Sequence, residues 1–289
     1  MFRLILLILL CSNVCFAQKP PLRLNFGVYP SDRATKMYRK FTPILEAIRS
    51  PIQNQLKREV DIHLTIFEDY PSGIEALVNG EVDFVRFGPS SYILAEHKDQ
   101  KIKLLAMELR KGLKRFNGLI ITKKDSGIHS IKDLQGKSFA FGNENSTIGR
   151  YLSQSLMVDN GIFAVSLKRF DYLQRHDLVA KAVITGTHDA GAVKASTYKQ
   201  LCDSDEIIVV AALENVTKPW VARSGLSIEI RNAITASLLE LEDPKIIDEL
   251  GCSGFARASS KEYELIRNAM KNAETFFPKK KQEEQEEKD

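Results

Sequence analysis

Hydrophobic and polar residues follow two periodicities along the chain, and these periodicities predict strands separated by amphipathic helices. Alternation over 22–28 and 60–67 is typical of half-buried strands. Apolar residues three and four positions apart over 229–241 and 261–277 are typical of helices. Strands that alternate with helices in this way predict an α/β fold whose sheets are mostly parallel and covered by helices.

One pattern occurs once in each half of the chain. Residues 76–83 and 182–189 both begin as an apolar helical segment, which is closed by Gly80 in the first copy and by Gly186 in the second. A glycine after a helix fits the left-handed C′ position, which only glycine adopts without a Cβ penalty. The repeat predicts two lobes that meet at a cleft, and such clefts are where small ligands bind.

An aspartate follows each of these glycines, at Asp83 and Asp189, and an apolar run comes next. Asp189 taken alone is a candidate acid for catalysis. Because both halves of the chain share this residue at the start of a strand, we expect the two carboxylates to serve the turn rather than a reaction.

The two ends of the chain differ from its body. Residues 1–17 contain one basic residue and a short apolar run, and the small residues Cys15 and Ala17 precede Gln18. This layout predicts a signal peptide that is cleaved near Ala17 and an exported protein, and the apolar run is too short to span a bilayer. Residues 278–289 are almost all charged or polar, which predicts a disordered tail.

Charge and cysteine content narrow the choice of partners. The 289 residues carry a formal net charge of +4 without a basic stripe interleaved with aromatics, so we expect no nucleic-acid partner. Cys202 and Cys252 remain after removal of the signal peptide. They can pair in an oxidising compartment, but two cysteines without a spacing motif do not establish a disulfide, and the question stays open.

The segment 141–149 carries the strongest candidate for binding chemistry. A strand ends, a glycine and a polar loop follow, and Ser146 and Thr147 stand where a helix begins. The unpaired N–H groups of a helix start carry about half a positive charge, so they favour anions. Ser146 can instead be only an N-cap, which is the commoner role of serine at such a position.

The segment 88–92, Gly-Pro-Ser-Ser-Tyr, offers a similar arrangement in the other half of the chain, after the strand of the first repeat. Two strand-to-helix junctions with hydroxyl groups, one in each lobe, would face each other across the cleft. Together they predict a small oxyanion as the ligand.

Other kinds of site find less support. His176 follows the strand-like segment 167–172 and begins a helix, so it can face the same cleft, although a single histidine is more often structural. No serine lies in a G-x-S-x-G elbow, which disfavours a hydrolase built from Ser146, His176 and an acid. The histidine spacings predict no metal site, and no Walker loop or dinucleotide fingerprint is present. We therefore expect a binding protein without catalytic residues, metal or cofactor.

Three segments resemble, in sequence and in order, the phosphate, phosphite and phosphonate solute-binding proteins of ABC transporters. They are D-Y-P-S-G-I-E-A-L-V-N-G-E-V-D-F-V-R-F-G-P-S-S-Y (69–92), D-L-Q-G-K-S-F-A-F-G-N-E-N-S-T-I-G (133–149) and H-D-A-G-A-V (188–193). The ending G-C-S-G-F-A-R-A-S-S (251–260) also matches, and the resemblance covers residues 22–275.

This resemblance implies a type II periplasmic binding fold with two lobes. Residues 18–115 and 220–277 would form the first lobe and residues 116–219 the second, joined by hinge strands near 115–118 and 219–222. The resemblance also implies the ligand-binding residues, which are Tyr70, Ser91, Tyr92, Ser146, Thr147, Gly149 and His176.

Three residues depart from the pattern of the family. Ile148 replaces a third hydroxyl residue, and Phe87 stands where some phosphonate binders carry a tyrosine. Lys218 precedes Pro219 where many members have an acidic residue that accepts a proton from the ligand or faces its amine. A lysine there favours a ligand with extra negative charge, or has a different role.

We therefore expect a monomeric periplasmic protein that captures a small phosphorus oxyanion for the permease of an ABC importer. The candidate ligands are phosphonate, phosphite, phosphate and organic phosphates. Two alternatives stay open. The protein can be a sensory receptor that signals its ligand state to a membrane kinase, or it can bind a solute that is not an oxyanion.

Overall fold

The computed structural model describes residues 20–30 and 34–278. The predicted signal peptide, residues 1–17, lies outside the described residues, and so does the predicted tail from residue 279 onward. In chain order the strands of the described part are β1 (Leu22–Val28), β2 (Val60–Ile66), β3 (Phe84–Arg86), β4 (Lys103–Glu108), β5 (Arg115–Lys123), β6 (Ser138–Phe141), β7 (Arg169–Tyr172), β8 (Ala190–Lys194), β9 (Ile207–Val216), β10 (Pro219–Ala222) and β11 (Phe255–Ala256).

Helices alternate with these strands, as the apolar spacing predicts. Those of the described residues are α1 (Ala34–Leu56), α2 (Tyr70–Val78), α3 (Pro89–Lys98), α4 (Ser153–Asp159), α5 (His176–Ile184), α6 (Ala195–Leu201), α7 (Ile228–Leu239), α8 (Pro244–Leu250) and α9 (Glu264–Ala273). Short 3₁₀ turns occupy Ile131–Leu134, Ala164–Ser166, Ser260–Tyr263 and Glu274–Phe276, and a π-helical turn occupies Thr147–Leu152. None of the helices described here has the length and apolarity needed to cross a bilayer.

The strands form two mixed sheets flanked by helices. The first has the order β11-β4-β10-β3-β1-β2 and the second the order β7-β6-β8-β5-β9. Strands β1, β2 and β3 pair in parallel, as do β6, β7 and β8. Antiparallel pairing joins β10 to β3 and β4, β11 to β4, and β5 to β8 and β9.

Most strands of each sheet share one direction, and the path of the chain explains the antiparallel pairs that make the sheets mixed. The chain crosses between the sheets twice, from β4 to β5 and from β9 to β10. The chain leaves the first sheet through β4 and returns to it through β10, and it enters the second sheet through β5 and leaves it through β9. In each sheet the entering strand is antiparallel to the leaving strand. As a result β1 to β4 share one direction in the first sheet, and β6 to β9 share one direction in the second.

The internal repeat is confirmed as a structural unit. Gly80 lies one residue beyond the last turn of α2, after the C-cap Asn79, with φ +77°, and Gly186 lies in the same place after α5 with φ +74°. Both are the left-handed conformation predicted for a helix stop. A buried strand, β3 or β8, comes next in each copy.

The paired aspartates of the repeat have the structural role expected of them. An Asp83 carboxylate oxygen accepts a 2.8 Å hydrogen bond from the Asn25 N–H of β1. The corresponding oxygen of Asp189 accepts bonds from the N–H and hydroxyl of Ser138 of β6, at 2.7 and 2.6 Å. Each carboxylate therefore ties the start of a repeat strand to its parallel neighbour.

The C-terminal part of the chain contributes a strand to the first sheet and a helix beside the second. Strand β10 lies inside the first sheet, where Trp220 stacks on Phe26 with ring centroids 4.8 Å apart. Helix α9 and the turn after it contact the π-helical turn and α4 beside the second sheet, and Phe276 meets the ring of Phe141 edge-on at 5.7 Å.

The predicted lobe boundaries stay a prediction. Cys202 and Cys252 are both free thiols.

We predict that Asp189→Ala lowers the free energy of unfolding by about 1–3 kcal/mol, because it leaves the buried N–H of Ser138 without its acceptor. Urea unfolding of the purified protein measures this change. Asp125→Ala is the matched control, because Asp125 is exposed. Equal midpoints for the two variants would contradict the assignment.

The Asp189 effect should also depend on pH. Burial acts to raise the pKa of Asp189, but the hydrogen bonds from Ser138 outweigh burial and hold it below the ordinary value. The stabilisation is therefore complete above the unfolded pKa of about 3.9 and is lost as the pH falls through the lower folded pKa. The difference in free energy of unfolding between wild type and Asp189→Ala should therefore decrease toward zero as the pH falls through that range.

Candidate functional site

A cavity of about 900 Å³ lies between the two sheets, at the ends of the strands that share a direction. Because β1 to β4 and β6 to β9 all end here, the loop or helix start that follows each of them delivers a lining residue. These residues are Tyr29, Tyr70, Gly88, Arg110, Ser146, His176, Ala195 and Lys218. The cleft predicted from the repeat is therefore present, and it lies beyond the carboxyl ends of the strands, where α/β sheets bind ligands.

Ser146 lies at the edge of this cleft and caps the π-helical turn. Its Oγ accepts a 3.0 Å hydrogen bond from Gly149 N, so the N-cap role considered from the sequence is present. Because Oγ is the acceptor in that bond, the cap does not use the hydroxyl proton of Ser146, which can be directed to Tyr70, its hydrogen-bond partner, or to a ligand. Capping and anion binding are therefore compatible.

Gly149 does not line the cavity, and its place in the site is indirect. A Cβ at residue 149 would lie 2.7 Å from Gly142 Cα, which real Cβ atoms essentially never do. Gly142 N also donates to Gly149 O at 2.8 Å. Gly149 thus allows the loop to close tightly below Ser146.

Thr147 joins the two helix starts directly. Ser90 N donates to Thr147 Oγ1 at 3.0 Å, and the two side-chain oxygens are 2.8 Å apart. Because the Ser90 hydroxyl donates to Asn145 O at 2.7 Å, the proton between the two side chains comes from Thr147. The Thr147 hydroxyl is thus already used as acceptor and donor, and donation to a ligand would require this bond to open.

The start of α3 is bonded to a tyrosine that the sequence analysis did not identify. Gly88 N donates to the hydroxyl of Tyr29 at 2.6 Å, and the same hydroxyl lies 2.7 Å from Ser91 Oγ. Tyr29 directly follows β1, and its position at a strand end next to a Pro-Ser turn is the only signal that the sequence offers. Phe87, buried behind it, stacks on its ring at 5.7 Å and does not line the cavity.

The structure does not bring Ser91 or Tyr92 into the cleft. Ser91 is fully buried and contacts the cleft only through Tyr29. Tyr92 lies on another face of α3, where its hydroxyl donates to Glu96 at 2.5 Å and its ring packs edge-on against Tyr263. A helix turns by about 100° per residue, so neighbouring residues of 88–92 cannot all face one ligand.

Tyr70, Tyr29 and Ser146 form one side of the cleft. The two phenol rings stack with centroids 3.9 Å apart. Burial raises the pKa of Tyr70 far above its ordinary value, the neighbouring Tyr29 raises it further, and hydrogen bonding to Ser146 opposes this only in part. Burial raises the pKa of Tyr29 as well. Both phenols therefore stay protonated at physiological pH and can act as hydrogen-bond donors.

His176 is placed in the cleft, as expected. It is the first residue of α5, and its Nδ1 atom is buried. The residue before it, Arg175, forms an ion pair with Asp177 at 2.9 Å. We use the name anion pocket for the part of the cleft formed by Tyr29, Tyr70, Ser146 and His176.

Positive side chains outnumber negative ones around the cavity. The basic residues are Lys36, Lys40, Arg86, Arg110, Lys111, Arg115, Lys194 and Lys218, whereas the acidic ones are Asp248 and Glu249. One of these two carboxylates, Glu249, already pairs with Arg39 at 3.1 Å. The potential in the cleft therefore favours anions.

A buried ion pair supports one wall of the cleft. The Arg86 guanidinium donates to both oxygens of Glu108 at 2.6 and 2.9 Å, and the indole N–H of Trp220 donates to the same carboxylate at 3.3 Å. Arg86 and Glu108 are 5% and 1% exposed. Their positions depend on the insertion of β10 between β3 and β4, which no local sequence pattern indicates.

Lys218 lies between β9 and β10, where the chain returns to the first sheet, and its side chain is half-buried. Within the described residues it forms no ion pair. Burial lowers the pKa of Lys218 well below its ordinary value, and the positive charges of Arg86, Lys194 and Lys40 lower it as well, while Glu108 opposes them. Perturbed groups of this kind are concentrated at functional sites.

Ile148 is one of the apolar residues of the cleft wall, with Leu113 and Phe116. It packs against Gly118 of β5, where a Cβ would lie 2.5 Å from Ile148 Cγ2. The position of the missing third hydroxyl is thus filled by hydrocarbon, and the pair Gly118 and Ile148 fits together by size.

Comparison with known proteins identifies the family. A family model described as ABC transporter, phosphonate, periplasmic substrate-binding protein matches residues 26–263. The chain belongs to this family. A curated relative in the family, the probable ABC transporter phosphite binding protein PhnD1 of Prochlorococcus marinus, is 22% identical over 272 residues, covering 85% of this chain and 88% of the relative. The phosphate-import protein PhnD of Mycolicibacterium smegmatis is 20% identical, covering 82% and 77%.

Solved structures confirm the two-lobed type II periplasmic binding fold. PhnD1 in complex with methylphosphonate superposes with a TM-score of 0.75 at 21% identity, covering 87% of this chain and 98% of that one. XAC2383 from Xanthomonas citri bound to ATP gives a TM-score of 0.74 at 20% identity, covering 88% and 98%.

We predict that Lys218→Met stabilises the ligand-free protein at neutral pH, because folding then no longer removes an unpaired ammonium from water. Solvent screening of a half-buried group limits the gain to roughly 1–2 kcal/mol. Because the folded pKa is lowered, the gain is largest below that pKa and vanishes as the pH approaches the unfolded value of about 10.4.

Thermal unfolding across this pH range measures the Lys218 effect. Lys271→Met, at an exposed position of α9, is the control and should change little. A Lys218→Met protein that is less stable than wild type at pH 7 would show that the ammonium is well paired in the fold.

Proposed function

We propose that this chain captures a small phosphorus oxyanion in the cleft and presents it to the permease of an ABC importer. The observation that carries the proposal is the anion pocket, where protonated phenols and a serine hydroxyl meet a helix start inside a cavity of strong positive character. Helix starts and hydroxyl groups of this kind bind phosphate-like anions without any covalent step.

In the proposed complex the hydroxyls of Ser146 and Tyr70 donate to the oxyanion. Tyr29 and His176 complete the pocket, and Thr147 holds the two helix starts together through Ser90. Each contact of a side chain with the oxyanion is a hydrogen bond to a charged acceptor and contributes about 1.5–3 kcal/mol. We therefore assign binding, and no catalysis, to these residues.

The known relatives support this class of ligand. PhnD1 was solved with methylphosphonate, and XAC2383 was solved with ATP, so a phosphorus oxyanion is common to both ligands. The names of the curated relatives refer to phosphite and to phosphate. The shared chemistry is a tetrahedral phosphorus centre with several anionic oxygens, which is what a ring of donors recognises.

Ligand binding would couple to closure of the cleft. A ligand that contacts residues at the strand ends of both sheets binds the closed form more tightly. It thereby shifts the population toward the closed form. In the proposed cycle the mature protein is exported after cleavage near Ala17, acts as a monomer in the periplasm, and releases its ligand to a membrane permease whose partner subunit uses ATP.

We predict that methylphosphonate, phosphite or phosphate raises the midpoint of thermal unfolding. At about 100 times its dissociation constant a ligand stabilises the native state by roughly 2.7 kcal/mol, which corresponds to several degrees for a chain of this size. Sulfate serves as the comparison anion. The absence of any shift with a phosphorus compound, in protein that unfolds cooperatively, would contradict the proposal.

Tyr70→Phe tests the pocket itself, because it removes one donor and keeps the stacked ring. We expect the dissociation constant of the bound phosphorus compound to rise about tenfold or more, as for loss of a hydrogen bond to a charged group. Tyr38→Phe is the matched control, because Tyr38 is 53% exposed on α1. Isothermal titration calorimetry measures both, and equal affinities would remove Tyr70 from the site.

A further inference from the structure

Lys218 has properties that a pocket for a simple oxyanion does not explain. Its backbone is held where the chain crosses between the sheets, because Glu108 N donates to Lys218 O at 3.0 Å. The side chain of Lys218 lines the cleft from that rigid point. The fold therefore fixes the point from which the Lys218 side chain enters the cleft.

The surroundings of this ammonium are positively charged. Arg86 of β3, Lys194 at the end of β8 and Lys40 of α1 line the same cavity, and their charges act on Lys218. The carboxylate that opposes them most is that of Glu108. Both oxygens of Glu108 already accept bonds from Arg86, and one of them also accepts the Trp220 indole N–H.

The fold thus keeps a half-buried cation among other cations and gives it no carboxylate of its own within the described residues. Such an arrangement is costly, because a charge removed from water needs a partner of opposite sign. An anion that enters the cleft would be that partner. Lys218 would then gain its partner of opposite charge only when the ligand is bound.

The Lys218 region adjoins the anion pocket through Arg86. The charge of Arg86 acts on Lys218 on one side and on the phenols of Tyr29 and Tyr70 on the other. Tyr29, Tyr70 and Lys218 line one cavity, so a ligand whose phosphorus centre is bound by the phenols can extend a substituent toward Lys218.

We propose that the ligand carries a second anionic group next to its phosphorus oxyanion, and that Lys218 binds this second group. The ligand class is a phosphonate or phosphate ester with a carboxylate or a further phosphate on a short spacer. This inference rests on the proposed function, since it requires the phosphorus centre to occupy the anion pocket.

The test compares ligands that differ in the second group alone. Phosphonoacetate carries a carboxylate, phosphonoacetamide is its neutral counterpart of the same shape, and 2-aminoethylphosphonate carries a positive group. Titration calorimetry should give phosphonoacetate an affinity about tenfold to a hundredfold above that of phosphonoacetamide, the scale of one hydrogen bond between charged groups. The amine should bind most weakly.

Variants at residue 218 link that preference to the lysine. Lys218→Met should remove the preference for phosphonoacetate and leave phosphonoacetamide within about threefold of its original affinity, which is less than 1 kcal/mol. Lys218→Glu should favour 2-aminoethylphosphonate over phosphonoacetate. Lys271→Met, far from the cleft, should keep the wild-type order.

Two results would overturn the inference. One is equal affinity of the wild type for phosphonoacetate and phosphonoacetamide, and the other is an unchanged preference in Lys218→Met. Methylphosphonate, which has no second group, reports on the anion pocket alone. If methylphosphonate binds and no preference is seen, only the role of Lys218 falls. If no phosphorus compound binds, the proposed function and this inference fall together.

Discussion

The concentration of positive charge in the cleft is the constraint on which the rest of the site depends. Two helix starts and several basic side chains converge there, and the nearby carboxylates are too few to balance them. Strand direction produces this convergence, because eight strands end at the same place and each delivers its next residues to the cavity. A folded chain tolerates such a potential when an anion is its normal occupant, and the potential also speeds the encounter with that anion.

Hydrogen bonds at the helix starts show how the protein manages this charge without a ligand. The first N–H groups of α3 are satisfied by oxygens of Tyr29 and Thr147, and Ser146 caps the turn opposite. The bond between Ser90 and Thr147 also connects elements that belong to different sheets. The protein itself therefore already links the two helix starts at this edge, and a ligand would add to contacts that exist without it.

Much of this site follows from local patterns in the sequence, and the remainder depends on tertiary structure. The repeat indicates the two lobes, the stop glycines and the structural role of Asp83 and Asp189. Ser91 and Tyr92 do not line the cavity, because successive residues of a helix start point in different directions, and their part in ligand binding stays a prediction. Tyr29 and the pair of Arg86 with Glu108 carry no motif, since strand order alone brings them to the cleft. The unusual position of Lys218 was visible in the sequence, but its cationic surroundings were not.

A crystal structure of the mature protein grown with methylphosphonate would test the central claim most directly. The account predicts density for a tetrahedral anion in the anion pocket, with its oxygens within 2.5–3.2 Å, roughly the range of a hydrogen bond, of the hydroxyls of Ser146 and Tyr70. The bond between Ser90 and Thr147 should remain in place beside it. Density for the ligand elsewhere on the protein, or an empty pocket in crystals grown at a saturating concentration, would contradict the account.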